Sequence, residues 1–195
     1  MDARLLMDTP RDRMVEAAIE GMRASGLAGA GINQVIAASG APKGSLYHYF
    51  PRGKLQLAAE ALERFGERQR ELLAAALAGD APADEKLRRL FARAGKGLAK
   101  DGYQRGCAVA AVALDLQDDS RELAPVCAAQ IALWVETIAA ALEPLPAARR
   151  RQLGRLVITA LEGALVQARA LRDPQPLVEA GEWVAATVGA ELAAR

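Results

Sequence analysis

Residues 32–50 read INQVIAASGAPKGSLYHYF. A short helix, a tight turn at Gly40 and a second short helix have the sequence form of a helix-turn-helix. Ile32, Val35 and Ile36 form the inner face of the first helix. Leu46 and Phe50 point back to the core from the second. Gly40 sits where the chain must reverse, and glycine takes positive φ without steric cost. Pro42 presets a first helical turn, so the second helix is expected over 42–47. Lys43, Gly44 and Ser45 then lie at its N-terminus, where free N–H groups and the helix dipole favour phosphate. Gly44, lacking a side chain, lets the helix lie close in a groove. Tyr47 and His48 present an O–H and a ring N–H to flanking phosphates. Between Lys43 and Lys54 there are three cations (Lys43, Arg52, Lys54) and no acid, on a chain whose net charge is +1. Such contacts fix the register of a protein on a duplex more than they read its sequence.

Outward from this segment the 195 residues are 52% hydrophobic, 25% charged and only 4% aromatic. That length supports a real core without metal or disulfide staples. A core rich in Ala and Leu points to close-packed helices. Apolar residues recur at three and four throughout, with no strand alternation. The first helix opens at Thr9-Pro10, repeats at Met14, Val15, Ala18, Ile19 and Met22, and ends at Gly26; a glycine-rich loop spans 26–31. Helices follow over about 54–77, 84–100 and 107–116. Another starts at Asp119 or Ser120 and carries the stripe Leu123, Val126, Cys127, Ile131, Trp134, Val135, Ile138 and Leu142. Two regular helices close the chain. The expectation is an all-α protein of about nine helices. The composition changes near residue 52, which suggests a helix-turn-helix domain over 1–52 and a larger helical domain over 53–195.

What is missing narrows the function. No apolar stretch approaches the ~18–20 residues that span a bilayer, and the N-terminus has no apolar signal core. A cytoplasmic protein with no membrane partner is expected. One histidine, His48, and two cysteines, Cys107 and Cys127, cannot build a multi-His metal site and lack zinc-ligand spacing. No GxSxG, Walker loop or GxGxxG occurs. No catalytic residue, metal or cofactor is expected, and the chain does not read as an enzyme.

Residues 11–55 resemble the N-terminal domain of TetR-family transcriptional repressors. The likeness lies in ASGAPKGSLYHYF, preceded by Arg13, Ala17, Ala18 and Gly26 and followed by Gly53-Lys54-Leu55. Together with GCAVAAVAL over 106–114, it resembles the LmrA/YxaF-like branch. The resemblance implies a ligand-responsive transcriptional regulator, a repressor, working as a homodimer. Its small domain binds a palindromic double-stranded DNA operator, and its larger domain holds a small hydrophobic inducer. Carried over by position, Lys43 and Ser45 touch phosphate or a base edge, and Tyr47, His48 and Lys54 touch phosphate. The family usually caps the second helix with Ser or Thr where this chain has Ala30 and Gly31, and Pro42 replaces a common Ser. Both changes shift reliance onto Lys43, Asn33 and Gln34. Asn33 or Gln34 reads adenine or merely faces phosphate.

For the inducer the expected lining is Phe91, Leu98, Cys107, Val112, Cys127, Ile131, Trp134 and Leu165. The closing helices carry more apolar face than one domain needs. Pairing them about a two-fold axis gives a four-helix interface, with Leu153, Leu156, Val157 and Leu161 from one and Gly181, Val184 and Val188 from the other. Two alternatives stand beside this. One is a helical small-molecule carrier or enzyme on the same scaffold. The other is a redox-responsive repressor sensing through Cys107 and Cys127, which are otherwise small buried hydrophobes.

Overall fold

The computed structural model describes residues 9–42 and 44–194. Among the described residues there are nine α-helices and no strand. They are α1 Pro10–Ser25, α2 Ile32–Ser39, α3 Ser45–Tyr49, α4 Lys54–Leu77, α5 Ala83–Lys100, α6 Ala108–Leu114, α7 Ala124–Ala140, α8 Ala147–Leu171 and α9 Gln175–Ala193. Gly26–Ala30 and Asp118–Leu123 are 3₁₀ segments. The chain divides into two compact units. One runs to Phe65 and adds Cys107–Gln130; the other is Gly66–Gly106 with Ile131–Arg195. The cuts fall inside α4 and α7 rather than at residue 52.

In the first unit α1 begins where Thr9 accepts a hydrogen bond from the Asp12 N–H at 3.1 Å and Pro10 takes the first turn. Met14, Val15, Ala18, Ile19 and Met22 form its buried face. At Gly29 the 3₁₀ turn after α1 packs back on it with no side chain between. A Cβ on Gly21 would stand 2.0 Å from the Gly29 carbonyl oxygen, and one on Gly29 equally close to that of Gly21. α4 is tied to α1 by charge. Arg11 holds Glu60 with both guanidinium N–H groups, and Arg64 reaches Asp12 at 2.9 Å. Glu16 and Glu60 lie a further 3.6 Å from Arg64.

In the second unit α5 and α9 pack along their length, helped by glycine. A Cβ on Gly181 would stand 2.7 Å from Cβ of Phe91, so only glycine lets the axes approach this closely. Gly154 does the same for α8 against the Val135 carbonyl. The buried indole N–H of Trp134 donates to the Gly66 carbonyl at 2.8 Å.

Four expectations are corrected. The second helix of the helix-turn-helix starts at Ser45, not Pro42, because Gly44 sits at φ 91°, outside any right-handed helix. The glycine loop over 26–31 is mostly a 3₁₀ turn. On α7 the inward position is Gln130, while Ile131 faces out at 37% exposure. Finally, the 23-residue stretch Asp118–Ala140 holds an 18-residue window of mean hydropathy 1.6, long and apolar enough to cross a membrane, against the expectation that no stretch approaches that length. Its Leu123 and Cys127 are buried in the first unit, and Trp134, Val135 and Ile138 in the second, as in a core helix.

Candidate nucleic-acid interface

α3 has five residues, too few to be stable alone. It is held from behind. Leu46 and Phe50 are fully buried, and the Arg11 guanidinium stacks over the Phe50 ring at 5.1 Å. The turn ahead of it is pinned in layers. Gly40 takes φ 63°. Buried Ser39 accepts from the Ala41 N–H and donates to the Ile36 carbonyl. Arg13, from α1, donates to the Ser39 carbonyl at 3.1 Å. Ser45 donates its hydroxyl to the Pro42 carbonyl at 2.7 Å, closing the approach to α3.

What remains faces outward. Asn33 and Gln34 in the first turn of α2, then Gly44, Tyr47 and His48, are exposed; Ser45 and Lys54 are half-buried. Among the described residues other than its chain neighbours, no atom lies within 4 Å of where a Gly44 side chain would begin. The Tyr47 ring rests beside Gly53, and His48 meets Tyr49 edge-on at 4.9 Å between ring centres. At the start of α4, Gln56 reaches back to accept from the Arg52 N–H at 3.0 Å, holding the Arg52–Lys54 turn. Lys43 lies outside the described residues. Sequence reasoning overlooked the Arg13 and Gln56 supports. Each joins a side chain to a distant or turn backbone atom, which apolar spacing does not reveal.

The residues expected to line a ligand site divide by environment. Phe91, Leu98, Val112, Cys127 and Trp134 are buried, Cys107 and Leu165 half-buried, and Ile131 exposed. Cys107 caps α6, its sulfur accepting from the Ala110 N–H at 3.5 Å. Burial pushes the Cys127 thiol above its usual range, which disfavours the reactive thiolate. A shallow cleft of about 170 Å³ in the second unit is lined by Glu136, Arg150 and Arg151 with three alanines, and is polar rather than apolar.

The residues expected at a dimer interface also divide by environment. Leu153, Val157, Gly181, Val184 and Val188 are buried within the chain itself, and Leu161 is half-buried. Only Leu156 is exposed. The outward apolar residues on these helices are instead Leu156, Val166 and Leu171 of α8 and Val178 and Trp183 of α9. An alanine-rich helix carries two apolar stripes, and hydrophobicity alone does not say which one turns inward.

An exposed pair of short helices, braced from behind by buried side chains and α1, on an all-helical chain defines a helix-turn-helix DNA-binding regulator. Comparison agrees. Residues 14–61 match bacterial regulatory proteins of the tetR family, and residues 82–183 match the transcriptional regulator LmrA/YxaF-like C-terminal domain. The chain belongs to the TetR family, in its LmrA/YxaF-like branch. The HTH-type transcriptional regulator Rv0196 of Mycobacterium tuberculosis is 35% identical over 178 residues, covering 88% of this chain and 90% of its own. A TetR transcriptional regulator from Chloroflexus aurantiacus superposes with a TM-score of 0.75 at 29% identity, over 92% of this chain and 94% of that one. A cysteine mutant of the TetR family transcriptional regulator CifR, complexed with 26 bp double-strand operator DNA, shares the fold at TM-score 0.75 and 20% identity, over 88% of this chain and 93% of that one.

Proposed function

We propose that this regulator is a repressor that grips a palindromic operator as a homodimer and is released by a small hydrophobic inducer. The observation that carries it is the outward face of Asn33, Gln34, Gly44, Tyr47 and His48, free of covering side chains on a buttressed five-residue helix and its neighbour. Two such faces related by a two-fold axis fit half-sites one helical turn or a multiple apart. Exposed apolar side chains on the two closing helices, Leu156 and Val166 of α8 and Trp183 of α9, are what such an axis would cover. Phe91, Leu98 and Trp134, buried and apolar in the second unit, are the side chains offered to an apolar guest. A ligand shifts the equilibrium only by its difference in affinity for the two states, typically ~1–3 kcal/mol of coupling. The division of labour follows the sequence: residues 1–52 for DNA, 53–195 for ligand and dimer.

The test is the affinity of the purified chain for a duplex of its own upstream region, measured across salt concentrations. Nanomolar-class binding with a steep salt slope is expected. Lys54→Ala should reduce the slope of log affinity against log salt by about one. Binding that ignores salt, or none at all, rejects the repressor. A thermal-shift screen of small hydrophobic compounds then finds the inducer as a ligand that stabilises the fold and weakens the DNA complex.

A further inference from the structure

We propose that Asp115 is a positioning residue for operator binding: from the end of α6 it caps the 3₁₀ turn that leads into the helix-turn-helix. This rests on the chain being an operator-binding regulator. A helical turn begins with N–H groups that have no partner within it. At Gly26–Ala30 the local cap, Ser25, makes no side-chain hydrogen bond. The Leu27 N–H donates instead to Oδ2 of Asp115 at 3.0 Å, across 88 positions of sequence. Gly26 admits that carboxylate. It takes φ 61°, and a Cβ there would stand 1.8 Å from the same oxygen.

An aspartate is a poor choice for its own helix. It occupies the C-cap of α6, where the helix dipole disfavours negative charge. A residue that breaks a local rule is explained by what it does elsewhere, and here that is the Leu27 amide. The turn passes the constraint on directly. Gly31, which follows it, donates to the Ala28 carbonyl and is itself the N-cap of α2, its carbonyl accepting from Val35. Asn33 and Gln34 are the next exposed residues. At Gly21 and Gly29 the turn and α1 meet backbone to backbone. α6 is capped by Cys107 and carries Val112, both among the residues expected to line the inducer site.

The experiment compares the wild-type chain with Asp115→Asn and Asp115→Ala. Affinity is measured for a duplex of the chain's own upstream region and for an unrelated duplex, across salt, alongside hydrogen exchange at the Leu27 amide. In Asp115→Ala the Leu27 amide should exchange faster. Specific affinity should fall about ten-fold, the loss of one charge-assisted hydrogen bond. Affinity for the unrelated duplex and the salt slope should not move. Asp115→Asn, which keeps an acceptor, should fall between. A freed Leu27 amide with unchanged specific affinity overturns the role, as does a Leu27 amide indifferent to both variants. Equal loss on both duplexes also overturns it, since that marks general damage. If Asp115→Ala does not fold, Asp115→Asn against wild type decides the role by the same outcomes. If the wild type itself shows no specific binding, the repressor reading fails first and this role falls with it. A wild type that binds while both variants bind equally well sinks Asp115 alone.

Discussion

α3 and α9 make opposite use of sequence. α3 is five residues anchored by its own Leu46 and by Phe50 just after it, with Tyr47 and His48 facing out. Its shape is borrowed from α1, through Arg11 over Phe50 and Arg13 on the turn. α9 is nineteen residues with its own buried stripe of Leu177, Gly181, Val184, Ala185 and Val188. A long helix tolerates local damage because its neighbours in sequence share the load. A short one fails when one anchor goes. Function therefore sits on the element least able to support itself, and the cost appears as bracing elsewhere.

The contrast can be broken at its weakest point first. Phe50→Ala should cost about 3–5 kcal/mol, as large aromatic truncations do. Denaturant unfolding should show it, with operator binding lost, while helices of the second unit keep their amide protection. On α9 the outward face is tested by Trp183→Glu. If the chain pairs through this face, sedimentation should show dissociation equivalent to about 2 kcal/mol or more, with monomer unfolding nearly unchanged. The inward face is tested by Gly181→Ala, whose new methyl meets Cβ of Phe91. It should cost about 1–3 kcal/mol as an overpacked contact, read as a lower thermal midpoint with the helix content intact.

The smallest effect concerns pH. The Thr9 hydroxyl, and after it Arg64, hold the Asp12 carboxyl below its ordinary value. A carboxylate lowered in the folded state stabilises above its unfolded pKa, and that contribution is lost as pH falls through the folded value. Asp12→Asn should therefore flatten the acid limb of stability against pH and leave the neutral region slightly lower. An acid limb unchanged in the variant would show that the α1–α4 charge cluster does not respond through Asp12.

Helix number and most of the core were legible in the sequence, because apolar residues at three and four report a buried face whatever lies opposite. Met14 through Met22 were read this way. The outward Asn33, Tyr47 and His48 were legible too, since polar groups beside buried Leu46 and Phe50 have nowhere else to point. Three things were not. The start of α3 moved to Ser45 because Gly44 adopts a left-handed conformation that no propensity scale forces. The inward stripe of α7 took Gln130 over Ile131, because helix phase is set by all its contacts at once. The Asp115–Leu27 bond joins residues whose proximity exists only after folding. Local periodicity carries no information about such pairs.

The paired glycines at 21 and 29 have a consequence for inheritance. Where two backbones touch directly, neither position offers an atom that can be exchanged for another. A library covering every single substitution should show two nearly empty columns there, within a stretch whose neighbours accept many replacements. The seam would then record ancestry more faithfully than the residues that meet DNA, which are free to drift as target sequences change.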